Sequence, residues 1–280
     1  MKNYRIIVDS CCDLTPEMKA DERIVSVPLI LSVDGVDIVD DETFDQKDFL
    51  ARVAASKESP HSACPSPELY KEEYERADGD VYVITLSAEL SGSYNSAQVA
   101  AKMYKEQGGA NNVHVFNSCS ASSGEVLLAR KITQLAAEGR GFEEIVEIVE
   151  KFRDEKCTFF VLESLETLRK NGRLTSMQAV LINALNIKPI MRGTKKGTIE
   201  KVSQTRGINK ALVKMLEIVG EEVLSQETKT LVIAHCNNRE RALFVRQEAE
   251  RLCKFKEIII TCTAGVSSMY ANDGGIIVSA

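Results

Sequence analysis

The sequence predicts an α/β N-terminal domain with a parallel sheet over residues 1–155. An α+β C-terminal domain with a largely antiparallel or mixed sheet is expected over 156–280, with a ligand cleft between the two. Three observations carry this. In the first half, three β-type runs each meet a small-polar turn and then a helical pattern, and that repetition implies parallel strands joined by right-handed crossovers. The texture changes at Cys157, after which six strand-like runs are interleaved with only two clear helices. The tight link GTKKGT (193–198) joins two of those runs as an antiparallel pair.

In chain order, YRIIV (4–8) is a short apolar run ended by Asp9, a first strand and not a signal peptide. It leads into DSCCDLTPEMKA, where Thr15 before Pro16 and Glu17 reads as a helix N-cap with proline at the first helical position. VPLILSVDGVDIVDD (27–41) contains Asp34-Gly35, a hairpin turn signal. SKESPHSACPSPE (56–68) holds three of the six prolines and reads as a loop. VYVITL (81–86) runs through SAELSGS into YNSAQVAAKMY, with Val99 and Met103 four apart on one helix face. VHVFN (113–117) runs through SCSASSG into a strong helix that closes at Gly139, and FEEIVEIVEKFRD (142–154) is a further helix. The second half offers the strands TFFVL, NIKPIM, TIEKVSQ, TLVIAH, EIIIT and GGIIVSA, with helices at NKALVKMLEIVGEEV and RERALFVRQEAERLC.

Composition narrows the function classes. Hydrophobic residues at 44% and charged residues at 27% are ordinary for a globular protein. A net charge of −6 argues against a nucleic-acid partner, because phosphate neutralisation needs a basic surface. No run approaches the roughly 18 apolar residues of a membrane span, so no stable membrane insertion is expected. The eight cysteines form no C-x-x-C pair and read as reduced thiols of a cytoplasmic protein. Charge is uneven: residues 163–214 hold eleven Lys or Arg against three Glu, a solvated face or a docking patch for an acidic partner or a phosphate.

In an open parallel sheet, ligands sit beyond the carboxyl ends of the strands. Those ends are Asp9-Ser10, the turn Ser87 to Ser93, and Asn117-Ser118 with Ser120, Ser122 and Ser123. Hydroxyls together with helix N-termini suit a small anionic or polar head group, which makes Ser10, Ser91 and Ser118 candidate ligand-binding residues. Each of these serines alone also serves as an ordinary cap or turn. Walker A and dinucleotide fingerprints are absent, and no His/Cys/Asp cluster has metal-ligand spacing. A serine-dependent hydrolase or acyltransferase using Ser91 or Ser87 stays open, although ELSGS is not G-x-S-x-G and only His61, His114 and His235 are available as bases.

The stretches IIVDSCCDL, SACPSPELY, ITLSAELSGSYNSA, VFNSCSASSGEVLLA and LESLETLRKNGRLT followed by NIKPI together resemble the DegV family, in order along essentially the whole chain. LSGSYNSA and LRKNGR are the most specific of them. The resemblance implies two domains with a long-chain fatty acid held between them, and no cofactor. It also implies a carrier and not an enzyme: the best-understood members are the fatty-acid-binding subunit of a bacterial fatty acid kinase. Such members hand the carboxylate to a dihydroxyacetone-kinase-like partner. Position by position, the family's loop hydroxyl falls on Ser62, its turn serine on Ser91 and its arginine on Arg173. Two departures stand out. Ala63 replaces a usual serine, and Tyr270 stands opposite the family's C-terminal histidine.

An acyl chain of palmitate length buries about fourteen methylenes at ~0.8 kcal/mol each, about 11 kcal/mol gross. The tail then supplies affinity, and the head group supplies orientation. Leu90, Leu162, Leu165, Leu168, Ile182, Leu185, Ile187 and Ile190 are expected in the apolar wall, while a carrier for a different carboxylate remains a further alternative.

Overall fold

The computed structural model describes residues 3–174 and 186–280. Its first half runs β1 (Tyr4–Asp9), α1 (Pro16–Lys19), β2 (Ile24–Val27), β3 (Ile30–Val33), β4 (Val36–Val39), α2 (Gln46–Ala55), β5 (His61–Ala63), α3 (Pro67–Glu75), β6 (Asp80–Thr85), α4 (Ser93–Glu106), β7 (Val113–Asn117), α5 (Ser123–Ala137) and α6 (Phe142–Glu155). The second half runs β8 (Thr158–Val161), α7 (Glu166–Lys170), β9 (Ile187–Gly193), β10 (Ile199–Arg206), α8 (Ile208–Glu222), β11 (Thr230–His235), α9 (Arg239–Leu252), β12 (Glu257–Cys262), α10 (Gly265–Ala271) and β13 (Ile276–Ser279).

The first sheet is parallel throughout, in the order β2-β1-β6-β7. Strand alternation sorts its side chains onto two covered faces. Ile6, Val8, Tyr82, Ile84 and Phe116 meet α5 and α6 on one side, while Ile7, Val81, Val83 and Val115 meet Tyr70, Tyr74, Ala97, Ala100 and Tyr104 on the other. The second sheet has the order β10-β9-β8-β13-β11-β12, antiparallel except between β11 and β12. One of its faces packs on α8 and α9 through Phe159, Val161, Ile233 and Val278. The opposite face, carrying Phe160, Met191 and Ile277, belongs to a separate apolar cluster.

Local signals explain several boundaries. The Thr15 hydroxyl accepts the Met18 amide at 3.3 Å, capping α1. Asp34 and Gly35, with φ of 50° and 76°, turn β3 back onto β4 with Val33 opposite Val36. The GTKKGT link sets Gly193 opposite Ile199 in the β9–β10 hairpin.

Two local expectations give way. The buried face of α4 is Ser93, Ser96, Ala97, Ala100 and Tyr104, and Val99 stands 40% exposed, because the small residues let the helix lie close to β6 and β7. Within the proline-rich stretch, residues 61–63 form β5, which completes the pairing of β3 with Leu31 opposite Ser62.

Beside α5, which packs on β11 and β13, α10 is one of the elements that join the halves. It belongs to the C-terminal part but begins on an N-terminal carboxylate: Asp40 accepts the amides of Gly265 at 2.6 Å and Val266 at 2.8 Å. Asp13 accepts the preceding Ala264 amide at 2.6 Å. From α2, the Gln46 side-chain amide donates to Thr263 O and Ser268 Oγ, each at 2.8 Å. Gly265 is required by this approach, since a Cβ there would stand 2.5 Å from Asp40 Oδ1 and 2.7 Å from Leu31 Cδ1. Gly265→Ala is expected to lower unfolding free energy by about 1–3 kcal/mol, the usual cost of forcing extra volume into a packed site. Denaturant unfolding measures it, and an unchanged midpoint would contradict this account of the junction.

Candidate ligand-binding site

A narrow cavity lies between the two halves. A water-sized sphere's centre has about 100 Å³ in which to move there, several times the roughly 10–15 Å³ that one water needs. Leu29, Leu86, Leu90 and Val266 come from one apolar cluster, and Phe160, Leu162, Leu168, Ile199, Ala271 and Ile277 from another. Leu90 and Tyr270 pack against both clusters and form the seam. Thr158, Phe160 and Leu162 project from β8 and the residue after it, so at ~3.3 Å per residue this wall runs about 13 Å. The result is a long, mainly apolar slot with one side on the second sheet and the other on turns, β5 and α10. An empty apolar space of this kind costs stability in proportion to its volume.

Polar side chains interrupt the slot in more than one place, with Ser62, Ser91, Arg173 and Tyr270 in one group and Ser120 and Thr158 in another. Ser62 Oγ and Tyr270 Oη lie 3.4 Å apart on the wall. Ser91 sits in the turn between β6 and α4, and its Oγ accepts the Ser93 amide at 3.2 Å. Gly92 lets the Cys64 sulfur approach to within 3.0 Å of where a Cβ would stand, which seats β5 and its Ser62 beside that turn. Arg173 reaches across from the turn after α7: its Nε donates to Leu90 O at 3.1 Å, and its Nη1 donates to Asn171 O. Among the described residues, Arg173 has no acidic partner, and no Asp or Glu lines the slot. The site therefore carries a single formal charge, and it is positive.

Neutral clamps tie the two walls together. Asn171 Nδ2 donates to Pro60 O at 3.0 Å, and its Oδ1 lies 3.2 Å from His61 Nδ1. Ser87 Oγ donates to Gly197 O at 2.8 Å. In the second polar group, Ser120 Oγ and Thr158 Oγ1 lie 2.7 Å apart. The nearby wider surface groove is of another kind. Its Arg192 is paired with Glu200 and Glu222, and its Arg153 with Asp154.

Of the residues picked from the sequence, Ser62, Ser91, Arg173 and Tyr270 are brought together on this wall. Ser10 and Ser118 are not. Ser10 is buried, and its Oγ accepts the Leu29 amide at 3.0 Å. Ser118 is buried too, and its Oγ closes a turn by exchanging hydrogen bonds with Ser120 at 3.1 Å. Both serines brace strand ends, the commoner use of a hydroxyl there.

Ser87 is sealed by its bond to Gly197. The histidines are engaged elsewhere: His61 with Asn171, His114 with Glu150, and His235 with the Asn238 amide. No described histidine is a hydrogen-bond partner of Ser87 or Ser91, so the base that a serine nucleophile needs is missing from this geometry.

In the apolar wall, Leu90, Leu162 and Leu168 take the expected places. Leu165 is buried behind them, and Ile190 belongs to the core under α8. Ile187 is half-buried, and Ile182 and Leu185 lie outside the described residues. Sequence reasoning missed Phe160, Ile199 and Ile277 because their inward direction depends on sheet pairing, and Val266 because it depends on how α10 docks.

Behind the serine turns lie buried acids. Asp9 accepts the Cys11 and Leu86 amides at 3.2 and 2.9 Å and the Ser93 hydroxyl. Burial pushes Asp9 up to about 6 and Asp13 up to about 7, and it raises Asp40 as well. Asp9, Cys11 and Glu125 bring potential ligand atoms within 4.8 Å of one another. Burial holds the Cys11 thiol well above its usual range, and metal binding needs a thiolate. The donor set fits a hydrogen-bonded core better than an ion.

Comparison with known proteins places this geometry. The model of the DegV family, described as an uncharacterised protein family, matches residues 3–280. A DegV domain-containing protein of Streptococcus pneumoniae is 32% identical over 283 residues, covering 98% of this chain and 97% of its own. A crystal structure of a DegV-family protein from Ruminococcus gnavus, refined with vaccenic acid, superposes with a TM-score of 0.97 at 47% identity, covering 100% of this chain and 99% of the other. The Streptococcus pneumoniae fatty acid kinase B3 protein, loaded with linoleic acid, superposes with a TM-score of 0.89 at 32% identity, covering 99% and 98%. Among the described residues no helix is long and apolar enough to cross a membrane.

The buried aspartates set a pH dependence. Each holds its proton to higher pH when folded than when unfolded, so its stabilising contribution is complete below the ordinary value of 3.8 and is lost as pH rises through about 6 to 7. His235, lowered by burial, works in the opposite sense but is a single group. Unfolding free energy is expected to fall between about pH 5.5 and about pH 8. Denaturant titrations at the two values test this, and a flat or rising trend would contradict it.

Proposed function

The chain belongs to the DegV family, and from that membership we propose that it is a non-enzymatic carrier of a long-chain fatty acid. The acyl chain lies in the apolar slot, and the carboxylate lies beside Ser62, Ser91, Arg173 and Tyr270. The observation that carries this is the placement of charge: a slot walled mainly by apolar side chains carries the Ser62, Ser91 and Tyr270 hydroxyls beside Arg173, which among the described residues has no acidic partner. The division into two domains near residue 155, with the slot as their cleft, is part of the same proposal.

The energetics support a division of labour. About fourteen buried methylenes contribute about 11 kcal/mol gross, from which association and ordering subtract a large part. A carboxylate in such a slot needs several donors, or its desolvation offsets the gain from the tail. Ser62, Ser91 and Tyr270 offer neutral donors. Arg173, with two of its donors committed to Leu90 O and Asn171 O, offers a fixed charge.

We further propose that the head group is presented to a separate kinase of the dihydroxyacetone-kinase-like type for acyl-phosphate formation, in the cytoplasm. The nearness in fold and sequence to a fatty acid kinase B protein supports this. Neutral hydroxyls leave one carboxylate oxygen free for a phosphoryl donor, and Arg173 is placed to meet the charge that transfer adds.

Removing one donor to a charged group costs about 1.5–3 kcal/mol. Ser91→Ala and Arg173→Ala are therefore each expected to weaken retention of a long-chain fatty acid about tenfold or more, measured by extraction and mass spectrometry after extensive washing. Unchanged retention in both variants would place the carboxylate elsewhere.

A further inference from the structure

Glu125 opens α5 and is fully buried. Neither of its carboxylate oxygens has a hydrogen-bond partner, and among the described residues these are the only buried side-chain polar atoms so left. Asp9 and Cys11 are its neighbours, all within 4.8 Å, and no described lysine or arginine forms an ion pair with either acid. Asp9 is already supplied with donors by the Cys11 and Leu86 amides and the Ser93 hydroxyl. An ionised Glu125 here would be a buried charge beside Asp9 with only the weak donor of the Cys11 thiol at hand, which is among the costliest arrangements in a protein. A protonated Glu125 owns a hydroxyl, and Asp9 offers the nearby acceptor.

We propose that Glu125 is a positioning residue for the fatty-acid site: a neutral acid whose O–H bridges to Asp9 and thereby fixes the turn that carries Ser91. The connection is continuous. Asp9 holds both ends of the turn, through Leu86 N at 2.9 Å and the Ser93 hydroxyl, and Tyr70 Oη steadies that same hydroxyl at 2.6 Å. The Ser93 amide then donates to Ser91 Oγ at 3.2 Å. Removal of the shared proton puts two negative charges side by side in a buried space, and the turn is what gives way.

This inference rests on the fatty-acid reading above. The titratable groups facing the pair are Asp13, Cys11 and Cys12 from the loop after β1, Tyr70 from α3, and Lys156 after α6. Burial and the neighbouring Asp9 hold Glu125 well above the carboxylate range, so it keeps its proton where an ordinary carboxyl has ionised.

Two readouts test it. The first needs no fatty acid: the wild-type minus Glu125→Gln infrared difference spectrum at about pH 8, above the range in which Asp9 and Asp13 titrate, should contain a protonated-carboxyl C=O band. The second is the rate at which a labelled long-chain fatty acid leaves the purified protein for acceptor vesicles. Across a pH series rising from about 7, wild-type release should accelerate at least about tenfold as Glu125 ionises, equivalent to one unit of pH-linked coupling. In Glu125→Gln, whose amide cannot ionise, that acceleration should stay below about twofold. Burial lowers Lys156 in both proteins, and Glu125 is only a minor influence on it, so a Lys156→Gln control run beside Glu125→Gln separates the two groups.

An absent band, or a Glu125→Gln variant with the wild-type acceleration, overturns the inference while leaving the carrier function standing. So does a stoichiometric divalent metal in the wild type that Glu125→Gln lacks. A wild type that takes up no fatty acid instead overturns the carrier reading, and the infrared band alone then decides the protonation of Glu125.

Discussion

Buried aspartates from the N-terminal half hold α10 in place, and the slot exists because they do. Asp40 accepts the first amides of a helix only seven residues long, and Asp13 accepts the amide just before it. Such a helix has little stability of its own. Its start is therefore fixed by carboxylates that belong to the opposite half. With α10 placed, Val266, Ser267, Tyr270 and Ala271 become one side of the cavity, facing Leu29 and Leu86. Burying these acids raises their proton affinity, which is the energetic cost of the joint.

The same economy governs the cavity. Every polar link across it is neutral or involves a backbone carbonyl: Ser87 to Gly197, Asn171 to Pro60, Arg173 to Leu90. Such links are individually worth about 1 kcal/mol and break without leaving a buried charge behind. A seam built this way can separate and re-form around a long apolar molecule. One welded by buried ion pairs would resist opening much more strongly. Among the described residues Arg173 is the one charged group on the lining, and it keeps its charge for whatever enters.

Much of the fold was legible because its signals are local. The proline after Thr15, the Asp34-Gly35 pair and the GTKKGT link each dictate backbone geometry within a few residues. The repeated strand–turn–helix pattern then leaves few topologies to choose among. The site was legible where motif residues lie in turns that point into the cleft, as Ser91 and Arg173 do. Ser10 and Ser118 look identical in sequence to Ser91, and only the three-dimensional pairing of β1 and β7 shows that their hydroxyls are consumed by Leu29 and Ser120. Phe160 and Ile277 were invisible for a related reason. Both sit in buried strands whose two faces are equally apolar, so no alternation tells which side meets the slot. Glu125 sits in what reads as an ordinary acidic first turn of a helix, and its isolation appears only once the loop after β1 is packed on it.

The carrier function requires a hydrocarbon chain to fill the slot that lies against the second sheet. Native mass spectrometry of the protein purified from a bacterial host, without added lipid, measures this most directly. The account predicts discrete added masses of long-chain fatty acids at one per protein chain, lost on unfolding. A spectrum of the bare chain alone, unchanged after incubation with long-chain fatty acids, would contradict it.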